Sequence, residues 1–252
     1  MSKKRSLSVL AVLVVFCFAL GVASAQADVC MKQKTHTGSF TMRGQTQPEK
    51  DETTVIWLGE NKVRTDSDSG RSVIFLADKG LLYVIDNNKK TYMEMPLDLN
   101  KSMNEALAGQ GEQGQRIAGM MRGMMGGMTV KVTDTGETKK IGSWNCHKYL
   151  VDMKMSMGGT SSEAWATEDI KIDSKLYFTA FNAMMASMPG FQDMIKEMQK
   201  VKGVIAYQES TAKMMGSEVK STMELLECAD KSAPGGTYEI PAGYTKVKNM
   251  RG

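Results

Sequence analysis

The chain is 252 residues long, 42% of them hydrophobic, and its 32 basic and 28 acidic side chains give a formal charge of +4. Three of the positive charges, Lys3, Lys4 and Arg5, sit in an N-terminal leader, so the remainder carries about +1, and a nearly neutral surface argues against a nucleic-acid partner. The remaining length of about 225 residues, with no Pro-rich, Ser-rich or single-sign linker, reads as one large domain with a sizeable core.

Ser2-Lys3-Lys4-Arg5 forms a short basic start, Leu7 to Val22 is almost unbroken apolar sequence, and Ala23-Ser24-Ala25 supplies the small residues of a cleavage site. This pattern predicts a signal peptide over residues 1–25, removed after Ala25 or after Ala27, and a mature domain over 26–252 exported to the periplasm or secreted. Ala27-Asp28-Val29 before Cys30 lacks the small residues of a lipidation site. Cys17 leaves with the leader, so Cys30, Cys146 and Cys228 remain, enough for one disulfide and one leftover thiol. Cys30 opens the first predicted strand and Cys228 closes the last, so the favoured pair is Cys30 with Cys228, provided those strands are antiparallel neighbours.

Short hydrophobic runs then alternate with turn residues. Val55–Leu58, Lys62–Thr65, Ser72–Leu76, Leu81–Ile85 and Thr91–Met95 read as strands, separated by Gly59-Glu60-Asn61, Asp66–Gly70, Asp78-Lys79-Gly80 and Asp86-Asn87-Asn88. Connections this short cannot cross over, so the strands form an antiparallel meander paired in sequence order. After Pro96 the period becomes helical. Leu99, Met103, Ala106 and Leu107 mark one stripe, which resumes past three glycines at Ile117, Met121, Met124 and Met128. Each interior glycine costs a helix about 1 kcal/mol relative to alanine, which makes this segment a candidate lid.

Strands return at Thr129–Thr133 and at Ile141–Met157. The apolar face of the second switches near His147-Lys148, which predicts a β-bulge there. Beyond Glu163–Thr167, residues Leu176, Tyr177, Ala180, Phe181, Met184, Met185 and Met188 mark a second helical segment, broken at Pro189-Gly190 and continued by Phe191, Met194, Ile195, Met198 and Val201. A hairpin near Val204–Tyr207 and Val219–Leu226 and a tail at Tyr238–Tyr244 complete the chain. The sum is a mainly β (α+β) fold in which about nine to eleven antiparallel strands curl, and two helical segments cover the concave face.

The runs NKVRTD, VIFLADKGLLYVIDNNKKTYMEMP, SWNCHKYLV, EAWATEDIKI, VKGVIAYQE and YEIPAGYTKV span nearly all of the mature chain. In their order and spacing they resemble an exported bacterial family, domain of unknown function 4412, which in turn resembles the periplasmic lipoprotein-localisation carriers. That resemblance implies an unclosed β-barrel with helices plugging an apolar mouth, and an apolar ligand class.

The residues themselves argue against catalysis. The chain has no G-x-S-x-G elbow, no H-E-x-x-H and no phosphate-cradling G-x-x-x-x-G-K-[ST], and His36 and His147 are its only histidines. His147 and Cys146 are strand neighbours that point to opposite faces. The run GMMRGMMGGM over residues 119–128 offers a second chemistry, because Met120, Met121, Met124, Met125 and Met128 are soft thioether ligands suited to Cu(I). Methionine also recurs along the second helical stripe and at Met153, Met155 and Met157, however, as it would in an adaptable apolar lining. The reading is therefore a non-enzymatic, cofactor-free, monomeric binder of an apolar small molecule or lipid, with a membrane or lipoprotein as an expected partner. Its expected lining is Trp57, Phe75, Tyr83, Met121, Met124, Met128, Trp165, Phe181, Met184, Met185 and Met188. A methionine-rich Cu(I) binder is the alternative.

Overall fold

The computed structural model describes residues 28–42, 44–97, 129–155, 158–171, 191–214, 216–248 and 250. They form β1 (Asp28–Thr37), β2 (Phe40–Met42), β3 (Gln45–Gln47), β4 (Lys50–Gly59), β5 (Lys62–Ser67), β6 (Arg71–Leu76), β7 (Leu81–Asp86) and β8 (Thr91–Pro96). The second half forms β9 (Thr129–Ile141), β10 (Trp144–Met155), β11 (Gly158–Thr167), α1 (Phe191–Met198), β12 (Val204–Met214), β13 (Ser217–Lys231) and β14 (Thr245–Lys246). Twelve strands make one large, curved, open sheet in the order β14-β8-β7-β6-β5-β4-β1-β13-β12-β11-β10-β9. The hairpin β2–β3 forms a separate two-stranded sheet, tied to β13 by the Ser217 hydroxyl, which donates to the Thr41 carbonyl.

Short turns impose this order. The meander β4 to β8 pairs in sequence, each connection too short to do otherwise. In the β4–β5 turn Asn61 adopts φ 55°, a left-handed conformation that asparagine tolerates better than most residues. β1 then joins the two halves, pairing antiparallel with β4 on one side and β13 on the other. Among the described residues only β14 runs parallel, along β8.

β1 and β13 are the neighbours that the thiol argument required, yet Cys30, Cys146 and Cys228 are free. The register explains the correction to the expected Cys30–Cys228 disulfide. Cys30 is paired with Ala229 and Cys228 with Met31, so the two thiols are one residue out of step and point to opposite faces of the sheet. Burial, the leading cause, pushes all three thiols up, Cys228 to about 11, which leaves them protonated at neutral pH.

The two expected covering helices are not part of the described fold. Residues 98–128 and 172–190, where the first stripe and most of the second fall, lie outside the described residues. The continuation of the second stripe forms the eight-residue α1, which packs at the β9 end of the sheet rather than across its middle. A helix of two turns is marginal in water, so α1 depends on this docking. Met198 and Val201 pack against Val132, Tyr149 and Ala166. Gly203, at φ +83°, then turns the chain into β12.

The irregularity expected near His147-Lys148 is present, and the register shows which strand carries it. Against β11, β10 is paired without interruption from Cys146 to Met155, while against β9 its register shifts between His147 and Tyr149. The extra residues, Thr135 to Glu137, therefore belong to β9. The apolar pattern of β10 changes because both of its faces are covered: Cys146 is buried against Trp165 and Ala206 on one, and Tyr149 lies beneath the α1 segment on the other.

Candidate apolar binding face

Residues paired across neighbouring strands lie on the same face of a sheet, so the register sorts the side chains into rows. One row runs Cys30–Trp57–Arg64–Ile74–Tyr83–Glu94 across β1, β4, β5, β6, β7 and β8, and the next runs Lys32–Val55–Asp66–Ser72–Ile85–Tyr92. The C-terminal segment straps this face, which we call the strap face. Tyr238, Ile240 and Tyr244 pack on Ile74, Leu76 and Ile85. Arg64 Nη1 donates to the Thr237 carbonyl at 2.9 Å, Tyr244 Oη to Asn87 Oδ1 at 3.1 Å, and Lys62 Nζ stands 4.4 Å from the centre of the Tyr238 ring. Backbone bonds from Thr245 N to Lys90 O and from Val247 N to Tyr92 O tie the end of the strap to β8.

The intervening residues make two rows on the opposite face, Val29–Leu58–Val63–Phe75–Leu82–Met95 and Met31–Ile56–Thr65–Val73–Val84–Met93. Only Thr65 among these positions is polar. The third row, through Gln33, Thr54 and Ser67 on β1, β4 and β5 and Arg71, Asp86 and Thr91 on β6, β7 and β8, is polar, so the apolar band has a definite border. Six strands about 4.8 Å apart make the band about 24 Å long. Val29, Met31, Leu58 and Phe75 are buried, while Ile56, Val63, Val73, Leu82, Val84, Met93 and Met95 are half-buried. The same face carries α1 at its far end, since Tyr149, which packs in the α1 group with Val132 and Val151, is in register through Ala164, Gln208 and Met223 with Thr35 of β1.

The expected lining residues are distributed unevenly over this geometry. Phe75 lies in the apolar band. Trp57 and Tyr83 stand together in a row of the strap face, where Tyr83 meets Tyr92 edge to face at 6.1 Å between ring centres. Trp165 pairs with Tyr207 and Lys148, again on the strap face, with Lys139 Nζ 4.0 Å from its ring centre. Met121, Met124, Met128, Phe181, Met184, Met185 and Met188 lie outside the described residues, as does GMMRGMMGGM as a whole. The expected lining of strand aromatics and helix methionines omitted Met31, Leu82, Met93 and Met95, which stand in the band. The signal was present in the alternation of Tyr92-Met93-Glu94-Met95 and in the unbroken run Val73–Leu76, which marks a strand covered on both faces.

One other feature is lined mainly by polar residues. A trough of about 490 Å³ on the strap face is framed by β10 to β13, with the side chains of Asp152, Glu163, Glu209 and Lys220 among its walls. It suits water or a polar solute rather than an acyl chain. Among the described residues, no group of three or more His, Cys, Asp or Glu side chains is placed to hold a metal ion. No family model and no curated protein matches the chain.

Glu197 links α1 to the sheet through chemistry that pH can probe. Lys200, the leading cause, and the Val132 N–H, which donates to Glu197 Oε2 at 2.9 Å, hold its carboxyl below the ordinary value of 4.5. A carboxyl depressed in the folded state stabilises the fold above its unfolded value, and that contribution is lost as pH falls through the folded value. The Val132 amide resonance is therefore expected to titrate with a midpoint below 4.5. A midpoint at the ordinary carboxylate value would show that Glu197 is not its acceptor.

Proposed function

We propose that this protein is an exported, non-enzymatic carrier that binds a lipid or another molecule with an acyl chain against the apolar band of its open sheet. The observation that supports this reading is the pair of neighbouring apolar rows on one face, beside a strap that already covers the opposite face of the same strands. Each CH₂ group that a ligand withdraws from water against such a surface contributes about 0.8 kcal/mol, so a long chain gains substantial affinity without any polar recognition. Methionines at 31, 93 and 95 add flexible, polarizable walls that adapt to ligand shape. In this reading the helical periodicities over 99–128 and 174–188 supply the cover of a half-barrel, and the basic, apolar, small-residue leader directs it to the periplasm or beyond. The resemblance to the exported domain of unknown function 4412 family, and through it to the lipoprotein-localisation carriers, points to the same ligand class.

Protein purified without detergent is expected to release lipid into an organic extract, detectable by mass spectrometry, and the delipidated protein is expected to bind a fluorescent fatty acid. Leu82→Asp or Met93→Asp, each placing a carboxylate in the band, should weaken that binding at least about tenfold. Val55→Asp, on the strap face, should leave it within about twofold, because its side chain does not reach the ligand. Absence of both lipid and probe binding, or equal losses in band and strap-face variants, would overturn the carrier reading. Tight Cu(I) binding, abolished by leucine at Met120, Met121, Met124 and Met125, would replace it with the methionine-site alternative.

A further inference from the structure

β9 is thirteen residues long and, among the described residues, pairs with β10 alone at one end of the sheet. An edge of this length presents outward N–H and C=O groups to any extended chain. The outward N–H of Val132 donates instead to Glu197 Oε2 of α1 at 2.9 Å, which is where the carbonyl of an added strand would have to lie. Glu197 is held from behind by its ion pair with Lys200, and α1 by the packing of Met198 and Val201 on Val132 and Tyr149. None of this is required by the apolar band, which lies at the other end of the sheet.

We propose that Glu197 and α1 close the β9 edge against pairing with the β9 strand of a second copy of this chain. The extra residues Thr135 to Glu137 divide β9 into two regular stretches, Thr129 to Asp134 and Thr138 to Ile141, and a two-fold axis at the centre of the first falls near Val132. Antiparallel pairing about Val132 sets Lys131 opposite Thr133 and Val130 opposite Asp134, with no like charges facing. The edge is thus compatible with itself, and the two-fold symmetry it would adopt is the commonest among homo-oligomers. The carboxylate of Glu197 takes up the central donor of that pairing, and α1 stands in the way of the second strand.

The test compares wild type with Glu197→Ala by light scattering over a concentration series and by amide hydrogen exchange. Wild type is expected to be monomeric with a protected Val132 amide. Glu197→Ala should exchange that amide at least about tenfold faster, the loss of one charge-assisted hydrogen bond, and should dimerise as concentration rises. Adding Val130→Pro, which removes another outward amide, should return it to monomer. Glu197→Gln keeps a side-chain carbonyl acceptor and should stay monomeric. Glu197→Asp keeps the charge but withdraws the oxygens by one methylene, so it should shift toward dimer and carries the test if the alanine variant does not fold. A folded Glu197→Ala or Glu197→Asp protein that remains monomeric with an unchanged Val132 exchange rate would overturn the proposal, as would a dimer that survives Val130→Pro.

Discussion

Gly203→Ala is expected to lower the melting temperature by about 6 to 12 °C, the equivalent of about 3 kcal/mol or more in a domain of this size. Two costs combine. Gly203 lies at φ +83°, and a left-handed conformation costs an L side chain roughly 1–2 kcal/mol. A Cβ at this position would also lie 2.0 Å from the Thr167 carbonyl oxygen and 2.5 Å from its carbon. Those are backbone atoms of β11, so no rotamer change relieves the overlap. The chain between α1 and β12 has to move, and with it the pairing of Thr167 with Val204 and the seat of α1. Gly80→Ala is the control, because Gly80 also has a positive φ, +62°, but its Cβ would meet nothing within 4 Å. Its cost should be the conformational part alone, about 1 kcal/mol. Equal losses in the two variants, measured by thermal melting, would show that the β11 backbone yields easily and that the close approach does not hold α1 in place.

The adjacent residues Ile74 and Phe75 are expected to separate stability from binding. Both are buried, at 0% and 2% exposure, but Ile74 faces the C-terminal strap and Phe75 stands in the apolar band. Ile74→Ala should cost about 2–5 kcal/mol, because the cavity it leaves is walled by Leu76, Ile85 and the tyrosines of the strap. Phe75→Ala should cost about 3–5 kcal/mol by the same mechanism. Affinity for a fluorescent fatty acid should distinguish them. Below the melting range, the Ile74 variant should bind within about twofold of wild type. The Phe75 variant should bind about tenfold more weakly or worse, since apolar burial worth about 1.4 kcal/mol to the ligand corresponds to a factor of ten in affinity. Fluorescence titration and chemical denaturation on the same samples make the comparison. A Phe75 variant with unaltered affinity would show that the band is core packing at this position.

Much of the strand content was legible because it depends on local chemistry. Asn61 and Gly80 sit where turns need left-handed backbone, and hydrophobic runs between such turns have only one short-range partner available. The strands β6 to β8 follow from this to within a residue at each end, whereas β4 begins at Lys50, five residues before the expected strand, and β5 runs on to Ser67. Which face of each strand does what was far less legible. Val73–Leu76 is apolar at every position, so its period carries no direction, and only the pairing with β5 and β7 shows that Ile74 and Phe75 part company. Trp57, Tyr83 and Trp165 stand on the strap face rather than in the band, because residue type alone does not encode a face.

By itself the sequence determined a basic and then apolar N-terminal pattern, a turn-punctuated antiparallel meander and a surplus of methionine, all of which are properties of neighbouring residues or of composition. The tertiary structure decided what depends on register between distant segments. β1 and β13 proved to be neighbours as the thiol argument required, yet a one-residue offset puts Cys30 and Cys228 on opposite faces. The tail at Tyr238–Tyr244 became a strap over Ile74 and Ile85, which left the opposite face as the apolar band. Glu197 met the edge of β9 some sixty-five residues away in the chain. A strand's period of two makes every such outcome turn on single-residue offsets, and those offsets are fixed only when the whole sheet assembles and buries its apolar side chains together.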